Sequence, residues 1–168
     1  MRVSSLLVVL AWLAVPGASL GASLGASTGA PVHADFAEGL AAYDGGDYRT
    51  AFEQWRALAE AGDAEAQTAL AGLYFDGLGT PEDAAAAVRW YRRAAEQGDA
   101  VAQQNLGDLY ARGIGVGRDL VSAYVWLSLA AEQGRRWSAR RRDELSPQLT
   151  PEQRAEAAAR IEARRQAR

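Results

Sequence analysis

The sequence has no cysteine and no lysine, and its 168 residues include a single histidine, His33. Without cysteine the chain has no disulfide, no thiolate metal site and no cysteine nucleophile. Because lysine is absent, all 18 basic residues are arginine, and amine chemistry is excluded. Apolar residues make up 49% of the chain, which is enough for one compact domain stabilised by packing alone.

The first 34 residues have the pattern of a targeting segment. Arg2 precedes an apolar run of ten residues at positions 6–15, and a tract of glycine, alanine and serine follows. The run is too short to span a bilayer, which takes about 20 residues. Residues 1–34 are therefore predicted to be a secretory signal peptide with a low-complexity segment, which predicts an exported protein of the bacterial periplasm.

Cleavage of this signal is expected between Ala34 and Asp35, because Val32 and Ala34 place β-branched and small residues at positions −3 and −1. Cleavage after Gly17 or Gly25 is an alternative. A second alternative is an uncleaved anchor that tethers the folded part to a membrane. Under each of these alternatives the folded part is exported.

The charges of the remaining chain are unevenly distributed. Residues 35–134 contain 16 acidic residues and 7 arginines, whereas residues 135–168 contain 10 arginines and 5 acidic residues. This asymmetry predicts two surfaces of opposite sign.

A period of 36 residues organises the rest of the sequence. The recurring pairs are Ala66 with Ala102, Gln67 with Gln103, Leu70 with Leu106, Tyr74 with Tyr110, Gly77 with Gly113, Gly79 with Gly115, Asp83 with Asp119 and Trp90 with Trp126. The same offset extends back to Ala51 and Ala59, so a first unit with a shorter loop precedes these two. A helix pair cannot bury its apolar stripe alone, and about three stacked units are needed for stability.

Each unit is predicted to be a pair of antiparallel helices. Asp63 and Asp99 are N-caps of the first helices, which end at Gly77 and Gly113. The second helix of the middle unit is predicted to begin at residues 80–83, with Thr80 as cap and Pro81 as first helical residue. Its counterpart is predicted to begin at Asp119.

The recurring pattern Ala-x-Ala-Gln-x-x-Leu-x-x-x-Tyr-x-x-Gly-x-Gly resembles the Sel1-like repeat, a relative of the tetratricopeptide repeat. The first unit, which contains Gly46-Asp47-Tyr48, is more similar to an ordinary tetratricopeptide repeat. The resemblance implies an all-α fold, a right-handed α-solenoid of antiparallel helix pairs. It divides the chain into units at 35–63, 64–99 and 100–135, and it implies the role of an adaptor, envelope factor or regulator.

Residues 136–168 depart from the pattern and are predicted to form a partial repeat and an arginine-rich C-terminal capping helix. Arg142 stands where the repeat places Leu70 and Leu106. Residues 150–153, Thr-Pro-Glu-Gln, form a capping box that starts a final polar helix. Its arginines favour an acidic protein or an anionic surface as a contact over nucleic acid, and simple solvation is the alternative.

Few residues are available for catalysis. If His33 is removed with the signal, the chain lacks histidine, cysteine and lysine, and most nucleophile and metal sites are excluded. Carboxylate pairs such as Asp76 with Asp83 or Asp108 with Asp119 remain, but Asp83 and Asp119 occupy a recurring cap position. The glycine-rich loop at 113–117 follows a helix, so it is not a phosphate-binding loop. We therefore predict no catalytic, metal or cofactor site.

By analogy with the tetratricopeptide groove, the inner face is formed by first-helix positions outside the packing stripe. These positions are Glu65, Thr68, Phe75, Asp76, Val101, Gln104, Asp108 and Arg112. Phe75 is the large apolar candidate for an anchor, and packing against a neighbouring repeat is its alternative role. The expected function is a scaffold that binds a peptide or helix of another protein. A cell-envelope hydrolase that uses carboxylates and a tethered assembly factor are the alternatives.

Overall fold

A computed structural model of the chain describes residues 35–167, and within this range all regular structure is helical, with no strand. The helices are α1 (Phe36–Asp44), α2 (Tyr48–Glu60), α3 (Ala64–Asp76), α4 (Ala84–Glu96), α5 (Ala100–Arg112), α6 (Leu120–Glu132), α7 (Arg136–Leu145) and α8 (Pro151–Gln166). One turn of 3₁₀ helix, Ser146–Gln148, separates the last two. The predicted signal segment, with His33, lies outside the described residues.

Consecutive helices pack against each other along the chain from α1 to α7, and short connections make neighbours antiparallel. Small and large residues alternate in the core. Ala51, Ala66, Ala87, Ala102 and Ala123 are fully buried, which lets the helices approach closely. Leucines at 70, 73, 106 and 109 fill the space between pairs, as does Trp126. The prediction of an all-α solenoid is confirmed.

Aspartate determines where most helices begin. Each helix from α1 to α6 follows an aspartate whose carboxylate accepts a backbone N–H of the first turn, which satisfies donors that lack a partner within the helix. The N-caps are Asp35, Asp47, Asp63, Asp83, Asp99 and Asp119. Thr150 caps α8 in a capping box with Gln153, as predicted.

The predicted start of α4 at Thr80 and Pro81 is wrong. The Asp83 N–H donates to the Tyr74 carbonyl at 2.8 Å, which keeps the preceding residues in a loop folded back on α3. The helix begins at Ala84, and the Asp83 carboxylate accepts the Ala86 N–H at 2.8 Å. Asp119, at the same place in the next unit, caps α6 in the same way.

A chain of glutamine side chains joins successive units inside the core. Gln103 is fully buried, donates to the Ala95 carbonyl at 3.1 Å and accepts from Gln133 at 2.9 Å. One repeat earlier, Gln67 donates to the Ala59 carbonyl at 3.1 Å and accepts from Gln97 at 2.8 Å. The recurrence of glutamine therefore reflects the hydrogen bonding that sets the register between units.

Glycine in the loop between first and second helix allows two units to approach each other. Gly115 has a φ of +67°, and a Cβ placed on it would lie 2.5 Å from the Ala84 carbonyl carbon at the start of α4. Gly79 approaches Tyr48 at the start of α2 in the same way. Only glycine, which has no Cβ, can adopt a positive φ with another backbone this close.

The C-terminal segment ends the solenoid with a single helix and a covering helix. In α7, Ser138 and Leu145 are buried at the places that Ala102 and Leu109 occupy in α5, whereas Arg142 is partly exposed. Helix α8 packs on α6 through Ala157 and Ile161. The predicted capping helix is confirmed.

Polar contacts also hold α8 in place. Arg165 pairs with Glu132, and the Arg164 guanidinium lies 4.5 Å from the ring centre of Trp126. None of the helices between residues 35 and 167 combines the length and hydropathy that a membrane span requires.

Candidate functional site

Two adjoining pockets lie where α3, α4 and α5 meet, and they share Tyr91 and Asn105. The Phe75 pocket has a volume of about 230 Å³ and is lined by Phe75, Tyr91, Asn105, Asp108, Leu109 and Arg112. The Asp76 pocket, also about 230 Å³, is lined by Tyr43, Trp55, Thr68, Ala69, Gly72, Asp76, Tyr91, Val101 and Asn105. We call the surface formed by both pockets the groove face.

The structure places six of the eight predicted groove positions in these pockets. Phe75, Asp108 and Arg112 line the first pocket. Thr68, Asp76 and Val101 line the second.

Glu65 and Gln104 line neither pocket. Glu65 is exposed on α3. The Gln104 side chain accepts hydrogen bonds from Arg135 at 3.2 Å and from Ser138 at 3.3 Å, so it joins α5 to α7. Because its carbonyl oxygen is engaged within the protein, Gln104 is not free to contact a bound segment through that atom.

Thr68 also has internal contacts. Its hydroxyl lies 3.0 Å from the Ala64 carbonyl and 3.0 Å from a carboxylate oxygen of Asp99. Asp99 is the N-cap of α5, so Thr68 links α3 to α5 beneath the Asp76 pocket.

Phe75 has both of the roles considered from the sequence. Its side chain is half-buried and packs against the core cluster that contains Leu106 and Leu109. Its remaining surface lines the Phe75 pocket. A partly exposed aromatic ring in a depression has the arrangement of a typical interface anchor.

Charged residues surround the Phe75 pocket. Asp108 bonds Arg112 at 3.2 Å and lies 3.6 Å from the guanidinium of Arg141, which comes from α7. Asp108 is only 22% exposed and Arg141 31% exposed, whereas Arg112 is 51% exposed. One carboxylate is thus shared by two arginines, of which Arg141 also pairs with Glu144 at 2.9 Å, so Arg112 is the most exposed charged group of the Phe75 pocket.

In the Asp76 pocket the exposed charged group is negative. Burial of Tyr91 and the negative charge of Asp76 together raise the pKa of the Tyr91 hydroxyl to about 12, and a hydrogen bond with Asn105 opposes the rise. Asp76 is exposed and forms no ion pair with any arginine of residues 35–167. Its counterpart one repeat later is Arg112, so the two pockets differ in charge at equivalent positions.

Seven pocket residues are not among the groove positions predicted from the sequence, namely Tyr43, Trp55, Ala69, Gly72, Tyr91, Asn105 and Leu109. A signal was present, because Trp55, Tyr91 and Leu127 occupy one position of the 36-residue period, and aromatic residues stand only at the first two. Trp137 is a further exposed aromatic residue outside the predicted groove positions, and it lines neither pocket. It follows Val101 by one period and is 40% exposed.

Three of the four carboxylates considered for catalysis are engaged elsewhere, and Asp76 is the fourth. Asp83 and Asp119 are N-caps, and Asp108 is paired with arginine. Burial acts to raise the pKa of Asp119, but hydrogen bonds from Ser122 and the Val121 N–H bring it below its ordinary value. Among the described residues no group of three His, Cys, Asp or Glu side chains could hold a metal ion.

Many arginines of the C-terminal segment contact the chain itself. The residues with such contacts are Arg135, Arg141, Arg142, Arg154, Arg160, Arg164 and Arg165. An anionic contact of this segment remains a prediction.

The stacked helix pairs and the groove face define an α-solenoid of the tetratricopeptide-like class. Residues 64–99 and 100–134 each match the Sel1 repeat, which confirms the predicted resemblance for these two units. No curated protein matches the chain.

Two solved structures are similar to this chain. One is c5321, a protective antigen of uropathogenic Escherichia coli strains with an SLR fold, with 29% identity, a TM-score of 0.71 and coverage of 75% of this chain and 28% of that chain. The other is a Sel1 repeat protein from Oxalobacter formigenes, with 33% identity, a TM-score of 0.63 and coverage of 66% and 46%. The chain thus spans less than half the length of either protein.

Proposed function

We propose that this protein is an interaction scaffold that binds a peptide or helix of a partner protein on its groove face. Sel1 repeat proteins are generally scaffolds of this kind. The single observation that supports the proposal is the pair of adjoining pockets on α3 and α5, lined by residues that differ between units. Residues that only stack the units recur, whereas Phe75 and Asp76 are replaced by Ala111 and Arg112 one period later.

The chemistry of the groove face suits a segment of protein chain. Phe75 offers an apolar anchor, and the exposed Arg112 and Asp76 offer charges of both signs near it. A handful of aromatic and arginine residues commonly carries most of the binding free energy of an interface. Two pockets of about 230 Å³ each accept side chains, and neither reaches the roughly 300–1,000 Å³ of pockets for drug-sized ligands.

Photo-crosslinking in the producing cells tests this role. A photoreactive residue in place of Arg112 is expected to give a discrete crosslinked product, and the Phe75→Ala variant is expected to lose it. The matched control is the same residue in place of Arg89, which is 64% exposed on α4 and lines neither pocket. If positions 112 and 89 crosslink equally, and the Phe75→Ala variant leaves the crosslinking unchanged, the groove face is excluded as the binding surface.

Phe75→Ala also removes packing, so folding must be checked. Truncation of a fully buried phenylalanine costs about 3–5 kcal/mol, and a half-buried side chain should lose roughly half of that. The variant should therefore melt earlier but remain folded at the assay temperature. Phe75→Leu, which keeps more of the packing, should lose less stability while still weakening the capture of the partner.

We further propose that the scaffold acts outside the cytoplasm, in the periplasm, after cleavage between Ala34 and Asp35. The support is the short apolar run followed by small residues at the N-terminus. N-terminal sequencing of the protein from a periplasmic extract should begin at Asp35. Recovery of the intact N-terminus in the membrane fraction would favour the tethered assembly factor instead.

A further inference from the structure

The Asp76 pocket combines three aromatic rings with one carboxylate. Tyr43 and Trp55 lie with their ring centres 5.6 Å apart, and Tyr91 lines the same pocket. A cation within about 6 Å of an aromatic ring centre is attracted by the negative face of the ring. A carboxylate at the same place adds a charge-assisted hydrogen bond. Together these groups have the chemistry of a site for a cationic side chain.

The carboxylate of this pocket is free to accept such a cation. No arginine of residues 35–167 pairs with Asp76, although Asp108, Asp143, Glu132 and other acids of the chain have arginine partners. The pKa of Tyr91 responds to the negative charge of Asp76, which places the carboxylate near the hydroxyl at the pocket. The groups that would surround a cation are therefore already assembled.

The rings that line the pocket are held in place by the fold. Trp55 is 4% exposed and Tyr91 7% exposed, whereas Tyr43 is 36% exposed, so the Tyr43 ring is the most accessible of the three. The Trp55 indole N–H donates to the Phe36 carbonyl at 3.3 Å, and Phe36 stacks on the Trp55 ring with centres 5.5 Å apart. Rigid aromatic walls lose little entropy when a side chain enters.

Charge complementarity indicates which kind of side chain would occupy the Asp76 pocket. Residues 35–134 contain nine more acidic residues than arginines, a field that attracts a basic segment and speeds its encounter. The pocket volume of about 230 Å³ suits a single long side chain and not a folded domain. Lysine and arginine have the required apolar stem and cationic head.

We propose that the Asp76 pocket binds an arginine or lysine side chain of the partner segment, with the stem against the exposed surface of Tyr43, over the buried Trp55 and Tyr91, and the cationic head at Asp76. This inference rests on the proposed function, because it specifies the residue by which the partner is recognised. The partner is thus a protein with a basic residue next to the apolar side chain that occupies the Phe75 pocket.

Selection from a displayed library of random 12-residue peptides against the purified protein tests this assignment. Peptides whose binding is lost in the Phe75→Ala variant should carry an arginine or lysine. Replacement of that arginine by the uncharged analogue citrulline should weaken binding at least tenfold, as should Asp76→Asn. The two changes combined should weaken binding no more than either alone, because they remove the same contact.

Glu65→Gln is the matched control, since it removes one negative charge from α3 at an exposed position that lines neither pocket. It should leave peptide affinity within twofold of the unmodified protein. Thermal unfolding of Asp76→Asn should match that of the unmodified protein, because Asp76 has no ion pair to lose within the described residues.

The remaining outcomes are distinct. Peptides that need Phe75 but bind equally with citrulline would overturn the cation site and leave the scaffold proposal standing. A selection that yields no Phe75-dependent peptide would overturn the scaffold proposal itself. Self-association in sedimentation velocity that disappears in Asp76→Asn would assign the pocket to an arginine of a second copy, and would overturn the assignment to a different protein.

Discussion

Replacement of Gly115 by alanine tests how successive units pack. Gly115 lies in the loop between α5 and α6, with a φ of +67°, and touches the backbone at the start of α4 in the preceding unit. An added Cβ would lie 2.5 Å from the Ala84 carbonyl carbon and 2.9 Å from the Ala85 nitrogen. Backbone atoms at a helix start cannot move aside as a flexible side chain can, so the two units must separate.

Two costs contribute to the expected loss of stability. The left-handed conformation costs roughly 1–2 kcal/mol for a residue with a Cβ. Forced overpacking adds about 1–3 kcal/mol. Gly115→Ala should therefore reduce the free energy of unfolding by about 2–5 kcal/mol, a large part of the roughly 5–15 kcal/mol typical of a domain.

Two other glycines separate these contributions. Gly134 has a φ of +84° with nothing within 4 Å of an added Cβ, so Gly134→Ala should cost only about 1–2 kcal/mol. Gly117, in the same loop as Gly115, has open space and no left-handed backbone, so Gly117→Ala should be neutral or stabilising by up to about 1 kcal/mol. Urea unfolding followed by circular dichroism at 222 nm measures all three variants.

The order of the three variants decides the outcome. The packing described here requires Gly115→Ala to be the most destabilised and Gly117→Ala the least. Equal losses for Gly115→Ala and Gly134→Ala would mean that the loop does not contact α4, and the stacking of the units as described would be refuted.

Three further predictions concern individual side chains. Gln103→Leu should reduce the free energy of unfolding by about 1–3 kcal/mol, since it removes the two hydrogen bonds of a fully buried amide. Gln54→Leu, for which no hydrogen bond is lost among the described residues, should change the free energy of unfolding by less than about 0.5 kcal/mol in urea unfolding. Asp76→Asn should lower the pKa of Tyr91 from its value of about 12, because a negative charge near the tyrosinate is removed. The pKa is measured by ¹³C NMR of labelled tyrosine, with the Tyr91 signal assigned from the Tyr91→Phe variant. An unchanged pKa would place Asp76 away from the hydroxyl. Asp119 has a lowered pKa in the folded state, so its stabilising effect is present above the unfolded pKa and is lost as the pH falls through the folded pKa. Asp119→Ala should cost about 1 kcal/mol at neutral pH, and this difference in the free energy of unfolding should become smaller as the pH is lowered into the acid range.

The repeat period was sufficient to predict the helix pairs. Alanine, leucine and glutamine at a spacing of 36 residues have to occupy equivalent places, because only stacked units bury their apolar stripes. Aspartate precedes each helix from α1 to α6 because every helix start presents unpaired N–H groups that a carboxylate can accept. The false start at Thr80 arose because a Thr-Pro-Glu-Asp stretch contains two capping residues, and a hydrogen bond from Asp83 to Tyr74 selects the second.

The groove face was only partly predictable. Positions such as Phe75 and Arg112 follow from helix periodicity within one unit. Tyr43 lies on the first helix of the first unit, which the shorter loop shifts out of the 36-residue register. Trp55, on α2, keeps the register, but the period alone does not show that it lines a pocket. The hydrogen bonds of Gln104 with α7 depend on how α7 packs, which sequence periodicity alone does not specify.

The structure of the protein bound to the segment captured by photo-crosslinking at position 112 tests the central claim most directly. The account predicts that the segment lies along α3 and α5, with an apolar side chain against Phe75 and a cationic side chain at Asp76. A segment bound instead to the outer surface of α4 and α6, with both pockets empty, would contradict it.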